Sequence, residues 1–281
     1  MIPIQARSES CKLLSLGVRS TDSSNPLMAP ISPIVPRSWK TLSSRALDLL
    51  YPPLCAVCGV NLSDGRALCD ACDEDLPRLV APFCDNCGEQ FPGQIDGTFA
   101  CPNCSKLKFA FEFARPATVR DERTLDMIHR LKYGRELHLA KDLGRLAYGA
   151  FSDPRLAPAI AGGWPLVPVP LHRKRLQHRH FNQAEEIARV LSSLSGLPLV
   201  RALQRTRATG HQTALTRSQR LENLRGAFAV TQAGRDSARV NLEGVILVDD
   251  VLTTGATVNE CTKVLRREGV RRVFVVTVMR G

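Results

Sequence analysis

Val245-Ile-Leu-Val-Asp-Asp-Val-Leu-Thr-Thr-Gly-Ala-Thr257 is the stretch whose reading decides the fold. Its first half is β-branched and apolar, the pattern of a strand buried on both faces. The run delivers two adjacent carboxylates, Asp249 and Asp250, to its carboxyl end. A short turn of Thr253, Thr254, Gly255, Ala256 and Thr257 comes next, and Val258, Cys261, Val264 and Leu265 then recur at helical spacing. Ligands of open α/β sheets sit at the carboxyl ends of strands, and exposed amides at a helix start bind phosphate. Gly255 lets the backbone approach such a ligand closely. Two acids beside a polyanion are reconciled when the acids hold sugar hydroxyls, or a Mg²⁺ that bridges to phosphates. The ligand this pattern fits is a ribose 5-phosphate.

Outward from this stretch, strands and helices alternate. Residues 116–120, 166–170, 197–203, 244–251 and 272–279 read as strands, and 125–133 and 136–151 as helices. A further helix begins at Asn182, with Glu185 as capping partner and Gly196 as its stop. Thr257 and Glu260 have capping-box spacing for the last helix, which Gly269 ends. Such alternation implies a mostly parallel sheet covered on both faces.

Ahead of this region stand four Cys-x-x-Cys pairs: Cys55/Cys58, Cys69/Cys72, Cys84/Cys87 and Cys101/Cys104. Thiolates two residues apart can bind one ion from a tight turn, and two such turns complete a tetrahedral Cys₄ zinc shell. Both a sequential partition (55/58/69/72 with 84/87/101/104) and a cross-braced one satisfy this rule. Four evenly spaced pairs without a flanking βαβ pattern do not suit a thioredoxin-like role. Four thiolates close the shell to substrate, so the two zinc ions are expected to be structural. Cys261 falls on an apolar helix stripe, where a free thiol packs as a small hydrophobe.

The chain has 281 residues, about two domains' worth, with 38 Lys+Arg against 27 Asp+Glu. From His172 to Arg225 there are eleven Lys/Arg and three Asp/Glu; from Cys55 to Cys104 there are two and eight. A basic segment attracts polyanions, whereas the acidic cysteine module repels phosphates. His172, His178 and His180 sit among positive charges with no carboxylate within four residues, which argues against a metal site there. The composition excludes a rod or a chain disordered throughout. No stretch nears the ~18 apolar residues of a membrane span. With no evident export signal, the expected address is cytoplasmic and the expected thiols reduced. The Ser- and Pro-rich first 40 or so residues read as a flexible tail.

The thirteen positions from Val245 to Thr257 resemble the phosphoribosylpyrophosphate signature of type I phosphoribosyltransferases. Phe181-Asn182-Gln183, then Gln212, Leu215, Arg220, Asn223 and Gly226-Ala-Phe228, resemble the ComF (GntX-like) family of competence proteins, and so does the double zinc ribbon in front. The likeness covers roughly residues 50–280. It implies an α/β fold: a type I phosphoribosyltransferase-like parallel sheet flanked by helices, preceded by a small Cys-rich double zinc ribbon. The expected divisions are a tail at 1–48, the ribbon at 49–112 and the phosphoribosyltransferase-like domain at 113–281. By the same resemblance, Asp249 and Asp250 hold ribose hydroxyls, and Thr253, Thr254, Gly255, Ala256 and Thr257 hold the 5′-phosphate of Mg-bound phosphoribosylpyrophosphate. Arg173, Lys174 and Arg175 match the pyrophosphate side by position, and residues 204–225 match a loop over the site.

The implied role is phosphoribosylpyrophosphate binding linked to DNA uptake in natural transformation, with single-stranded DNA and other uptake proteins as partners and no membrane insertion. The alternative is an active transferase moving phosphoribosyl to a nitrogen acceptor, with no DNA role. Three departures stand out. Thr253 replaces the Asp of purine-salvage enzymes, which disfavours that activity. His180 replaces a family Gly, and residues 206–216 contain no Lys.

Overall fold

In the computed structural model, residues 53–62, 65–95, 97–105, 108–208, 224–239 and 243–281 are described. The expected tail, and Gln212, Leu215, Arg220 and Asn223, lie outside them. Four strands pair in the order β1 (Phe113–Thr118), β6 (Arg272–Arg280), β5 (Gly244–Leu252) and β2 (Leu166–Pro168), all parallel. The two central strands are the most apolar segments of the chain, as strands covered on both faces must be.

Two short helices, α1 (Asp70–Asp75) and α2 (Pro102–Ser105), belong to the cysteine module. Alternate residues of β5 and β6 enter two separate cores. Ile246, Val248, Phe274 and Val276 face α3 (Glu122–His129), α4 (Leu139–Tyr148) and α7 (Gln183–Ser195), where Ile128, Leu143, Ile187 and Leu191 are buried. The short α5 (Ala157–Ala161) adds Ala159 to this core. Val245, Leu247, Val273 and Val275 face α9 (Ala256–Arg267), with Val258, Cys261 and Leu265. The antiparallel pair β3 (Leu203–Arg205) and β4 (Phe228–Val230) completes that second side. The expected parallel sheet with helices on both faces is thus present.

The cysteine module is built into the same body. Cys55, Ala67, Leu68 and Leu76 belong to the first core, and Cys84, Cys87, Cys101 and Cys104 to the second. Between the two ribbons, Leu79 donates to the Ala117 carbonyl (2.9 Å), and Val119 donates back to Pro77 (3.3 Å). This segment covers edge strand β1, whose open hydrogen-bonding groups would otherwise face solvent. Asp75 pairs with Arg123, Asp85 with Arg155 and Glu89 with Arg280. None of these arginines belongs to the basic segment 172–225.

Several element boundaries differ from expectation. Strand β1 starts at Phe113, three residues before the expected 116, because its partner β6 extends the pairing from Phe274 onward. The helix expected at 125–133 is α3 followed by a π-helical turn, Arg130–Gly134, closed by Arg135 in the left-handed region (φ 58°). The helix expected at 136–151 is regular only from Leu139 to Tyr148 and ends in a 3₁₀ turn, Gly149–Ser152. The expected strand 197–203 reduces to a bridge between Leu199 and Leu166, because Pro198 lacks an amide donor. Three further helices after β1 were not expected, α5, α6 (Arg173–Arg179) and α8 (Gln232–Arg239).

Neither expected capping box forms. Asn182 does cap α7, accepting from Ala184 (3.2 Å), but Glu185 turns to Arg189 and Arg201. Helix α9 begins one residue before Thr257, with Gly255 (φ 75°) at its N-cap and no capping side chain, and Glu260 pairs with Lys263.

Candidate phosphate-binding site and metal centres

The thiols gather in sequence order. Sγ atoms of Cys55, Cys58, Cys69 and Cys72 lie within 4.8 Å of one another, and so do those of Cys84, Cys87, Cys101 and Cys104. The sequential partition is therefore the one built. Cys58–Cys69 and Cys87–Cys101 are 3.7 Å apart, far beyond a disulfide. A tetrahedron with Zn–S of ~2.3 Å has edges of about 3.8 Å, so the donor set and its spacing fit zinc. Amides orient the ligands, with Cys69 donating to Cys55 Sγ (3.4 Å) and Cys101 to Cys84 Sγ (3.3 Å). Hydrogen bonds from the Cys104 and Cys87 thiols hold Cys84 well below the ordinary thiol range.

At the carboxyl end of β5 the two acids differ sharply. Asp250 is buried and forms an ion pair with Lys132 of the π-helical turn. Burial opposes its charge, but the Lys132 ammonium overcomes this and lowers its pKa. Asp249 is half-buried, and its pKa is raised well above the usual range, first by burial and then by the Asp250 charge and hydrogen bond. The two neighbouring carboxyls are thus pushed in opposite directions, Asp249 upward and Asp250 downward.

The turn after β5 is held from behind. Arg280 donates to the carbonyls of Leu252 and Thr253, both at 2.7 Å, and Gly281 N also donates to Leu252. In a planar trans peptide the C=O and the next N–H point in opposite directions. Anchoring these carbonyls aims the Thr253 and Thr254 amides toward the opposite side. The Gly255 and Thr257 amides reach no protein acceptor among the described residues. The positive φ of Gly255 also lets the turn pass Phe109, 3.1 Å from where a Cβ would stand. Asp249 through Thr257 thus present two acids and directed amides at a helix N-terminus where Thr254 Oγ1 accepts from the Ala256 amide (3.4 Å).

The pyrophosphate-side candidates Arg173, Lys174 and Arg175 form the first turn of α6, directly after β2. His172 is their N-cap, accepting from Lys174 (3.2 Å) through Nδ1. Arg173 lines a cleft of about 270 Å³ with Asn182, Glu185, Arg201 and Arg205. Residues 249–257 do not line that cleft; Arg205 connects the two places. Burial lowers the Arg205 pKa, Arg175 adds to this, and Asp249 opposes it, so all three charges feel one another. The motif Phe181-Asn182-Gln183 braces this region. Asn182 Nδ2 donates to the Val169 carbonyl at the end of β2 (3.0 Å), and Gln183 accepts from Arg179 (3.0 Å). Among the described residues, the three histidines of the segment form no metal-ligating group.

Lys132, Arg205 and Arg280 were missed in the sequence. Lys132 and Arg280 sit at the ends of apolar runs, where a cation is commonplace. Only the chain's return to β5 gives them a partner.

Comparison with known proteins agrees with this architecture. A double zinc ribbon domain matches residues 46–106, and a phosphoribosyl transferase domain matches residues 181–281. Competence protein F of Haemophilus influenzae is 28% identical over 227 residues, which cover 79% of this chain and 94% of that protein. DNA utilization protein YhgH of Escherichia coli is 31% identical over 231 residues, 81% of this chain and 96% of the relative. Competence protein ComFC of Bacillus subtilis is 32% identical over 258 residues, 81% and 95%. With its thiol pairs, parallel sheet and strand-turn-helix loop in the same order, this chain belongs to the ComF family of competence proteins, a double zinc ribbon joined to a phosphoribosyltransferase domain.

Proposed function

We propose that this protein binds Mg-phosphoribosylpyrophosphate at residues 249–257 and serves DNA uptake in natural transformation. One observation carries the first half: two adjacent carboxyls at the end of β5, with Asp250 paired to Lys132, lead into a turn whose Leu252 and Thr253 carbonyls are held by Arg280 and whose Gly255 and Thr257 amides reach no protein acceptor among the described residues. Asp249 and Asp250 would hold the ribose hydroxyls, and Thr253, Thr254, Gly255, Ala256 and Thr257 the 5′-phosphate. Arg173, Lys174 and Arg175 would meet the pyrophosphate. Mg²⁺ takes hard oxygen ligands from one or two carboxylates plus substrate phosphates, and the half-buried Asp249 carboxyl suits it. When bound, the ion would neutralise the pyrophosphate.

The second half rests on the names of the relatives, for competence and for DNA utilization, and on the basic segment 172–225. Phosphate contacts there would make binding of single-stranded DNA weaken steeply with salt.

Calorimetric titration of the full chain with phosphoribosylpyrophosphate and Mg²⁺ tests the pocket. Binding is expected in the wild type and should be lost or weakened at least tenfold, about 1.4 kcal/mol, in Asp249→Asn. Asparagine keeps the size of the carboxyl, and a circular-dichroism spectrum matching the wild type checks that the fold is kept. No heat in the wild type would remove the reading. Retention of single-stranded DNA at low salt, competed by phosphoribosylpyrophosphate, is the expected result for the DNA role.

The transferase alternative has a chemical requirement of its own. A nitrogen nucleophile would displace Mg-pyrophosphate from C1 of the ribose, with cations stabilising the leaving group. Arg173 and Arg205, which line one cleft, favour this alternative, and pyrophosphate release with an added amine is its signature.

A further inference from the structure

The second thiolate centre and the phosphate loop share one side chain. The Arg280 guanidinium is nearly buried, at 11% side-chain exposure. On one side it forms an ion pair with Glu89. On the other it donates to the carbonyls of Leu252 and Thr253, each at 2.7 Å. Glu89 is not a distant surface acid. It lies two residues past Cys87, and its own carbonyl accepts from the Cys84 amide (2.8 Å), one of the bonds that shape the metal knuckle. The knuckle is fastened to the sheet as well, since Ala114 of β1 donates to the Asn86 carbonyl (2.9 Å). Gly88 admits no side chain, because a Cβ there would stand 2.5 Å from Pro116. A shift of this knuckle therefore cannot be absorbed at its base and must move Glu89.

We propose that Arg280 is a positioning residue that carries the shape of the second thiolate centre to the phosphate loop, so that metal there and phosphoribosyl ligand in the pocket stabilise each other. The inference rests on the binding reading above. Its physical content is orientation. A zinc-closed knuckle fixes Glu89, Glu89 fixes the guanidinium, and the guanidinium holds two carbonyls on one side of the turn. The amides of the same peptides then face the ligand. With the knuckle open, Arg280 loses its charged partner and the carbonyls regain freedom to rotate. Coupling between sites is reciprocal in binding free energy, so ligand in the pocket must in turn tighten binding of the second-site metal.

The test uses the full zinc-loaded chain, with Glu89→Gln and Arg280→Lys, neither of which touches a thiolate. Lysine keeps the charge but cannot bridge an acid and two carbonyls at once. In both variants, hydrogen exchange of the Gly281 amide, which donates to the Leu252 carbonyl that Arg280 also holds, is expected to accelerate about fivefold or more without ligand, while the zinc content stays at two per chain. In the wild type, Mg-phosphoribosylpyrophosphate is expected to shift the equilibrium competition with a chromogenic chelator for one zinc equivalent about fivefold toward the protein, and this shift should vanish in Glu89→Gln. Unchanged exchange of that amide, or a shift that survives Glu89→Gln, overturns the relay. If the wild type binds no phosphoribosylpyrophosphate in calorimetry, the pocket reading falls by itself, and the exchange rates still decide whether knuckle and turn are linked.

Discussion

His180 occupies a left-handed backbone position (φ 68°), at the C-cap of α6, where its amide donates to Leu176 at 2.7 Å. The family's Gly suits that conformation and a histidine strains it. The turn nevertheless forms, because Asn182 and Gln183 fasten the start of α7 directly after it. His180→Gly should therefore stabilise the protein by about 0.5–1 kcal/mol, read as a higher urea midpoint at constant slope.

Asp249 is the other informative residue. Its carboxyl keeps a proton above the usual range, whereas Mg²⁺ needs the carboxylate. The free protein thus holds more protons than the complex, and raising pH must favour binding across the window between the ordinary carboxylate value and that of Asp249. Calorimetry in buffers of different ionisation heat should show proton release on binding. The unliganded fold has the opposite dependence: a carboxyl whose pKa is raised by folding contributes stability that is lost as pH rises through the raised value.

At the scale of elements, α4 and α7 cross at Gly144, where a Cβ would stand 2.5 Å from Val190 Cβ. Alanine is the better helix former by about 1 kcal/mol, yet overpacking costs ~1–3 kcal/mol. Gly144→Ala should lower the melting temperature despite its propensity, and adding Val190→Ala should recover only a minor part of the loss, because alanine keeps the Cβ that stands 2.5 Å away. A double-mutant cycle reads this directly. The π-helical turn after α3 is a second element with a purpose. It places Lys132 against Asp250, and a regular helix through the same residues would turn the lysine roughly 100° for each residue of register. The start of α9 is a third: Gly255 is its N-cap, and Thr254 rather than Thr257 supplies a hydroxyl to its first amide, that of Ala256 (3.4 Å).

The two ribbons are not an appendage to the molecule. One contributes to the core on one face of the sheet and the other to the core on the opposite face. Calorimetric unfolding of the zinc-loaded chain should accordingly give one cooperative transition for the ribbons and the sheet together, and chelation should lower it as a whole. Two resolved transitions, with the upper one insensitive to chelator, would contradict a shared core.

Thiol spacing, buried strand and hydroxyl-rich turn were legible without coordinates, because each is local: ligand spacing within a knuckle, apolar runs and turn chemistry act over a few residues. The boundaries of β1, α4 and α9 were less so, since strand pairing and the exit of a helix from its core are set by neighbours distant in sequence. By itself the sequence determined two Cys₄ clusters and a strand-turn-helix segment with two acids ahead of its turn. Only the tertiary structure decided that Lys132 meets Asp250, and that Arg280 ties the turn to the second cluster. Those pairings depend on charges meeting through a folded interior, where a lower dielectric strengthens an ion pair.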